Sequence, residues 1–536
     1  METKRLFLLL CLCSYSVFAQ NRYYVNQTQG RDTYDGSSWS SAYATLQMAI
    51  DKVKSGDEIW VAAGTYHPTR AIDIDGNPTT QRHQTFAIPN GVKLYGGFPA
   101  QATNNTGLNN RDWEKNPTIL SGDLNKDDKA NFSNMEENVY RVVYLLNTDE
   151  STVIDGFTIT GGNTDFEGMH RKPQGSGISA VSNISGSSAK SSPTLKNLII
   201  EGNISTGGGA GFSNYASDGE ANPVISNTII RRNKSGDYGG GFANYGRIIS
   251  APILENVIIS GNQALQGGGM YCTAEASVTS PVLTNVLVSG NRAESDAGGI
   301  FISSCAGNVR PVLTNVTISG NKAGSFVGGL LCYANPGISS PKILNTVIIG
   351  NKADVMIFYD FYNEGNTMSR SDMQHFWIPE YMEYPTMDAI YFFDPKFVKA
   401  IDADNAPTTE GDYRLAYDSP FINKGNNSFI STRVDLAGST RIIDKTVDMG
   451  AYEYQGISPY STVSIQSTVA EKQIWSEDGN LYIRIDQPSI VRIYSVNGAL
   501  IRQISMTDGD HTISLPTGFY LVSLSNGTIE KVFVSK

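Results

Sequence analysis

Residues Pro281–Asn291 read PVLTNVLVSGN, and residues Pro311–Asn321 read PVLTNVTISGN. The pattern returns as PTLKNLIIEGN from Pro193, PVISNTIIRRN from Pro223, PILENVIISGN from Pro252 and PKILNTVIIGN from Pro341, the prolines lying 30, 29, 29, 30 and 30 residues apart. A segment recurring at one fixed period cannot bury its apolar face alone and must stack on its copies. Places five and seven after each proline are aliphatic or Thr and place eight is mostly polar, which is the alternation of a strand. Proline and the closing Gly-Asn stop that strand. A second strand opens at Gly240-Gly241-Phe242, Gly268-Gly269-Met270, Gly298-Gly299-Ile300 and Gly328-Gly329-Leu330. Short strands at constant spacing, with no helical pattern between them, predict successive coils of a parallel β-helix rising ~4.8 Å each. The inward ladder then holds Leu195, Ile225, Leu254, Leu283, Leu313 and Ile343, joined by Ile200, Ile230, Ile259, Val288, Ile318 and Ile348.

Two asparagine rows accompany these strands, at place four from Asn197 to Asn345 and at place ten from Asn203 to Asn351. Asparagine tolerates the left-handed backbone of a sharp bend, and stacked amides can bond along the axis, so both rows are read as structural. Cys272 and Cys332 share one column with Ile302 between them, about two spacings of ~4.8 Å, too far for a disulfide; buried free thiols are expected. The outward column Ile199, Ile229, Ile258, Leu287, Thr317 and Val347 forms a stripe that another element should cover, an aromatic insertion being one candidate.

The Gly-Gly-aliphatic strands, with ISGNQA, VSGNRA, ISGNKA and IIGNKA, resemble the right-handed parallel β-helix of pectate-lyase-like proteins and the polymorphic outer-membrane protein repeat. The entry run GSSWSSAYATLQMAIDKVKSGDEIWVAAGTYHP, KLYGGF at Lys93–Phe98 and IDGFTITGGN at Ile154–Asn163 are similar to secreted β-helix proteins and extend the body back to about residue 23. Ser40-Ser41 is read as the cap of a helix carrying Leu46, Ala49, Ile50 and Val53 on one face and ended by Gly56, plugging the open end. DPKF at Asp394, GDYRLAYDSPFINKG at Gly411–Gly425, DLAG at Asp435 and VDMGAYE at Val447–Glu453 resemble the closing segment called the choice-of-anchor Q region. NLYIRI, VRIYSVNG, SLPTGFYLVSLSNG and KVFVSK resemble the C-terminal sorting domain of type IX secretion, a small β-sandwich.

The expected fold is therefore all-β: a right-handed single-stranded parallel β-helix with an N-terminal capping helix, followed by a small C-terminal β-sandwich. The expected boundaries are a signal peptide over 1–19 and the β-helix over 20–455, with its N-cap at 20–66, regular repeats at 190–352, an aromatic insertion at 354–393 and the closing segment at 394–455. A linker over 456–468 and the sorting domain over 469–536 complete the chain. Lys4 and Arg5 before an apolar run, with Val17-Phe18-Ala19 ahead of Gln20, predict cleavage between Ala19 and Gln20. No later run is long enough to span a bilayer. Removing that segment leaves 39 basic and 51 acidic side chains, a balance that argues against nucleic acid as a partner.

Three places are candidates for chemistry. The loop TDFEGMHRKPQ gathers Asp165, Glu167, His170, Arg171 and Lys172, an acid–base set read mainly as a solvated insertion. Asp123, Asn125 and Asp127 alternate oxygen ligands as a Ca2+ loop does, without its Gly or distal Glu; no cofactor is expected, Ca2+ being the one the sequence admits. The stretch Asp354–Phe393 carries 11 aromatics in 40 residues, and Tyr359, Tyr362, Trp377, Tyr381 and Tyr384 are the candidates for sugar stacking, against a reading as a packed lid. The repeats hold few charged side chains, and the Asn-Thr-Asp, Gly-Asp-Asp, Gly-His-Gly and Arg-x-Lys motifs of polygalacturonase-like enzymes are not matched. The reading is an exported protein, on the surface of a Gram-negative cell or released, that binds a polysaccharide, surface glycan or matrix and meets the type IX machinery through its last domain. A polysaccharide lyase or glycosidase is the first alternative, and a structural surface-layer component the second.

Overall fold

Pro193, Pro223, Pro252, Pro281, Pro311 and Pro341 each precede a strand in one long parallel sheet, and every strand pairs with its counterpart one repeat later. The computed structural model describes residues 20–73, 79–165, 175–182, 190–355, 360–364, 373–377, 394–456, 474–477, 479–485, 487–495, 499–525 and 529–534. Backbone contacts divide the chain into two units, Met1–Ser461 and Thr462–Lys536.

The first unit is a parallel β-solenoid. Its first wall runs from Arg22–Val25 through Lys342–Ile349 to Met373–Trp377. A second wall of nine strands runs from Phe86–Ile88 to Phe361–Glu364, and two sheets of very short strands turn the corners. Register places all twelve ladder residues named above inside, each fully buried, so alternate residues fill the core while their neighbours face outward. Cys272 and Cys332 lie buried on either side of Ile302 in one column, as free thiols.

The two asparagine rows do different work. At place four, Asn197, Asn227, Asn256, Asn285, Asn315 and Asn345 take left-handed backbone, with φ of 47–55°. The first four donate toward the N-terminus, Asn285 to Asn256, Asn256 to Asn227 and Asn227 to Asn197, and Asn197 donates to Asp155 at 2.7 Å. Asp155 is itself held by Arg111 at 2.7 Å. At place ten the amides are buried and donate the opposite way, from Asn203 through Asn233, Asn262, Asn291 and Asn321 to Asn351 at 2.8–3.1 Å, and from there to Asp360. Each acceptor oxygen also receives the backbone N–H of the preceding asparagine, which meets the bonding needs of a polar column inside an apolar core.

The entry end differs from the sequence reading. Leu46, Ala49, Ile50 and Val53 do enter the core, but the helix is only Leu46–Ile50 and Thr45 stands at its N-cap. Ser38 caps a separate turn, Trp39–Ser41, and Tyr43 is bonded through both backbone groups to the first strand, so no helix can begin before residue 45. The outward stripe is buried at Leu287, Thr317 and Val347, and the closing segment covers the last two. Ala451 N–H donates to Thr317 Oγ1 at 3.0 Å, and Val347 packs with Leu415, Phe421, Ile422 and Met449. Thr408 N–H meets the Gly290 carbonyl at 2.9 Å, while Asn315 and Asn345 bond to the closing segment. Ile199, Ile229 and Ile258 stay half-buried.

The second unit has two antiparallel sheets, of three and four strands, whose inner residues Leu481, Ile483, Val491, Ile493, Val522 and Val534 share one core. This is the expected small β-sandwich. The expected linker, apart from Gly456, lies outside the described residues. No helix among the described residues is long and apolar enough to cross a membrane.

Candidate functional site

The strands Phe212–Ala216, Phe242–Gly246 and Met270–Ala274 stack in register on the second wall. Phe212, Asn214, Phe242, Asn244, Met270 and Cys272 point inward, which forces Ser213, Tyr215, Ala243, Tyr245, Tyr271 and Thr273 outward. Asn214 donates to Asn244 Oδ1 at 2.7 Å and Asn244 to Ser250 Oγ at 2.8 Å, locking the wall from within. Outside, Tyr215 lies flat on Tyr245, with centroids 4.6 Å apart and planes 11° from parallel. Across from them Tyr238 stacks on Tyr271 at 4.7 Å, and Tyr271 meets Phe301 edge-on at 5.3 Å. Tyr238 comes from the glycine bend at Gly239, whose φ of +57° and close approach to the Phe242 carbonyl exclude a side chain.

The small residues Gly207, Gly208, Ser213 and Ala243 line the cleft with the tyrosines, leaving a volume of about 530 Å3. That volume falls within the ~300–1,000 Å3 of small-ligand sites. Its polar groups sit at one rim. Tyr245 donates its hydroxyl to Glu275 at 2.7 Å, and Arg247 bonds to Asp218 at 2.6 Å with Glu275 3.9 Å away. Asp237 and the exposed Cys305 complete the lining. Burial, then the bond to Glu275, raises Tyr245 well beyond the ordinary phenol range, and burial pushes Tyr271 up to about 12. Both phenols therefore keep their protons at neutral pH and act as hydrogen-bonding platforms rather than bases.

None of these residues was singled out from sequence. The signal was present in the outward places one and three after each Gly-Gly-aliphatic, where GFANYG and GMYCTA carry their tyrosines. Of the candidates that were, Asp165 bonds to Arg82 at 2.9 Å. Arg82 also bonds to the carbonyls of Asn138 and Asn163 and covers Tyr140, so Asp165 completes a structural clamp. Glu167, His170, Arg171 and Lys172 lie outside the described residues, as do Tyr359, Tyr381 and Tyr384 and, at the signal junction, Ala19; Gln20 opens the described chain. Trp377 ends a strand paired with Lys342–Ile349, its side chain being outside the description. Tyr362 pairs with Leu331 on the wall that carries the cleft and meets Phe326 edge-on at 4.8 Å.

In the 123–137 region the carboxylates of Asp123, Asp127 and Glu137 approach within 4.8 Å of one another, with Glu137 taking the place expected of Asn125. An all-oxygen set of this kind suits Ca2+ rather than a thiolate-seeking metal. Asp123 already accepts the backbone N–H groups of Lys126, Asp127 and Asp128, and burial raises Asp128 to about 6. A fourth acidic group, Asp435, Asp448 and Glu453 around Arg441, is buried in the closing segment. Its carboxylates accept backbone N–H groups and Arg441 donates to the Gly450 and Ala451 carbonyls, so these charges tie the segment together.

No family model matches the chain, and no curated protein sequence does. Among solved structures it is similar to the pectate lyase Pel9A at 15% identity and a TM-score of 0.40, over 82% of this chain and 97% of that one. It is also similar to a rhamnogalacturonan lyase at 12% identity and a TM-score of 0.27, over 74% and 96% respectively. Neither identity carries a residue role to this chain.

Proposed function

We propose that this is an exported β-helix protein, displayed on a Gram-negative surface or released, whose solenoid binds carbohydrate through the cleft between Tyr215–Tyr245 and Tyr238–Tyr271. The carrying observation is the pair of stacked tyrosine rows facing each other across a floor of glycine, serine and alanine. Flat aromatic faces offer a large contact area at small entropic cost, and the rim of Glu275 and Arg247 supplies polar groups that orient hydroxyls. The N-terminal run ending at Ala19 serves export, and the C-terminal sandwich is the address read by type IX secretion. Retention of the mature chain on an immobilised polysaccharide panel tests the binding reading. Retention that disappears in Tyr245→Ala supports it, and an unaltered profile in Tyr245→Ala and Tyr271→Ala overturns the cleft as the contact surface. Release of new reducing ends or unsaturated uronate in the same incubations would instead establish the lyase or glycosidase alternative.

A further inference from the structure

Residues 123–128 read DLNKDD, and the first aspartate folds the rest around itself. Asp123 accepts the backbone N–H groups of Lys126 and Asp127 on Oδ1 and of Asp128 on Oδ2, at 2.6–3.2 Å. The loop then returns to the solenoid, where Val139 N–H meets the Gly122 carbonyl at 3.0 Å and the Asn163 side chain holds the Met135 carbonyl at 2.7 Å. That return brings Glu137 back beside Asp123 and Asp127. One oxygen from each of the three lies within 4.8 Å of the others, and among the described residues no other three acids, histidines or cysteines converge in this way. Two oxygens on a single Ca2+ stand no more than about 5 Å apart, because each Ca–O distance is about 2.3–2.6 Å.

An independent observation lies beneath the acids. Asn138 is fully buried and turns its amide toward them: Nδ2 donates to Asp128 Oδ2 at 2.8 Å, while Oδ1 meets no donor. Asp128 Oδ1 is a second buried oxygen without a donor. Buried acceptors are almost always bonded, and two bare oxygens next to a set of carboxylates call for a cation.

We propose that Asp123, Asp127 and Glu137, with Asp128 and Asn138 beneath them, bind one Ca2+ ion that braces the 123–137 loop. This stands independently of the carbohydrate reading. Carboxylate and amide oxygens at irregular spacing suit Ca2+, which accepts about six to eight oxygens in flexible geometry, over Mg2+, which demands a near-ideal octahedron at ~2.0–2.1 Å. The Asn138 carbonyl accepts from Arg82 Nε at 2.8 Å, so the ion also steadies the clamp that Arg82 makes on Asp165.

The test is calorimetric titration of the full mature chain, stripped by chelator and dialysed, with CaCl2 and separately with MgCl2. One saturable Ca2+ per chain is expected, at least as tight as the about 0.1–1 mM of extracellular Ca2+ modules, with Mg2+ about tenfold weaker or more. Asp127→Asn and Glu137→Gln should each weaken Ca2+ about tenfold or more, whereas Glu255→Gln, at an exposed acid of the repeat strands, should leave the affinity unchanged. Metal-free thermal midpoints at or above the parent's show the variants folded. In the parent, Ca2+ should slow proteolytic cleavage within 123–137. No saturable binding by folded protein up to about 10 mM Ca2+ overturns the site, as does an affinity that neither loop variant moves. An equal loss in Glu255→Gln, or protection spread evenly over the chain, marks diffuse attraction to an acidic protein and overturns it as well. Mg2+ binding as tightly as Ca2+ overturns the identity of the ion.

Discussion

The side-chain amide of Asn351 donates to the Asp360 carboxyl at 2.8 Å, so the buried asparagine row ends on an acid where the next rung would carry another amide. Asp360 is buried, and that burial raises its carboxyl to about 7 despite two bonds from Asn351. The folded chain thus holds this proton more tightly than the unfolded chain, whose aspartate titrates near ~3.9. The stability contributed is full below about pH 4, is lost as pH rises through 7, and is constant above. Asp360→Asn should be more stable than the parent at pH 8 by roughly 1–3 kcal/mol, with the advantage vanishing toward pH 4. Thermal midpoints of the two proteins at several pH values check this, and a pH-independent difference would refute it.

Asn262 occupies the middle of the same row. It accepts from the backbone and side chain of Asn233 and donates to Asn291 and to the Ile230 carbonyl. Asn262→Ala strands several buried groups at once, each costing about 1–3 kcal/mol, so a loss of about 3 kcal/mol or more is expected in urea unfolding. Asn256, at φ 55°, has a partly exposed side chain, and its requirement is for backbone conformation. There Asn256→Gly should be mild and Asn256→Val severe.

Gly290 has a φ of +59°, and a Cβ on it would stand 2.1 Å from the Thr408 carbonyl oxygen. Gly290→Ala should therefore loosen the closing segment. The expected readout is faster limited proteolysis within 394–455, and an unchanged cleavage rate would show that Thr408 is not a docking point.

Thiol labelling separates the three cysteines of the solenoid. Cys272 and Cys332 are buried, and burial raises both thiols far above the ordinary range, whereas Cys305 is exposed at the cleft. Native protein should react at Cys305 alone, and the other two only after unfolding. A disaccharide seated between the tyrosines should slow the Cys305 reaction, which offers a second readout of cleft occupancy.

The core was legible because a period of about thirty residues repeats both the inward aliphatics and the asparagines, and each needs only its own copy as partner. The left-handed turn at Asn256 and the amide row through Asn262 follow from local chemistry plus stacking. Thr317 was placed on the correct outward stripe, but its cover, Ala451, lies 134 residues away, and no local pattern links the two. The helix start was placed too early because Ser40-Ser41 is a good cap in isolation, while the pairing of Tyr43 with Tyr24 is a long-range fact. The cleft escaped for a related reason. Tyr215 and Tyr245 share one outward column, but Tyr238 comes from a bend and Tyr271 from a different column, so no single column of the repeat gathers all four, and aromatics are denser after Asp354.

The opposed directions of the two amide rows bear on how such a chain can evolve. In the buried row every interior asparagine hands its bond to an identical successor, and the closing segment grips coils from Gly261 onward. A coil duplicated ahead of that point would meet neighbours like those it left, lengthening the solenoid by ~4.8 Å without a new ending. Outward residues on the second wall take no part in either row. Coil number and surface chemistry are thereby free to drift independently, so a recognition cleft can be rewritten by substitution on one wall while the inherited scaffold stays as it was.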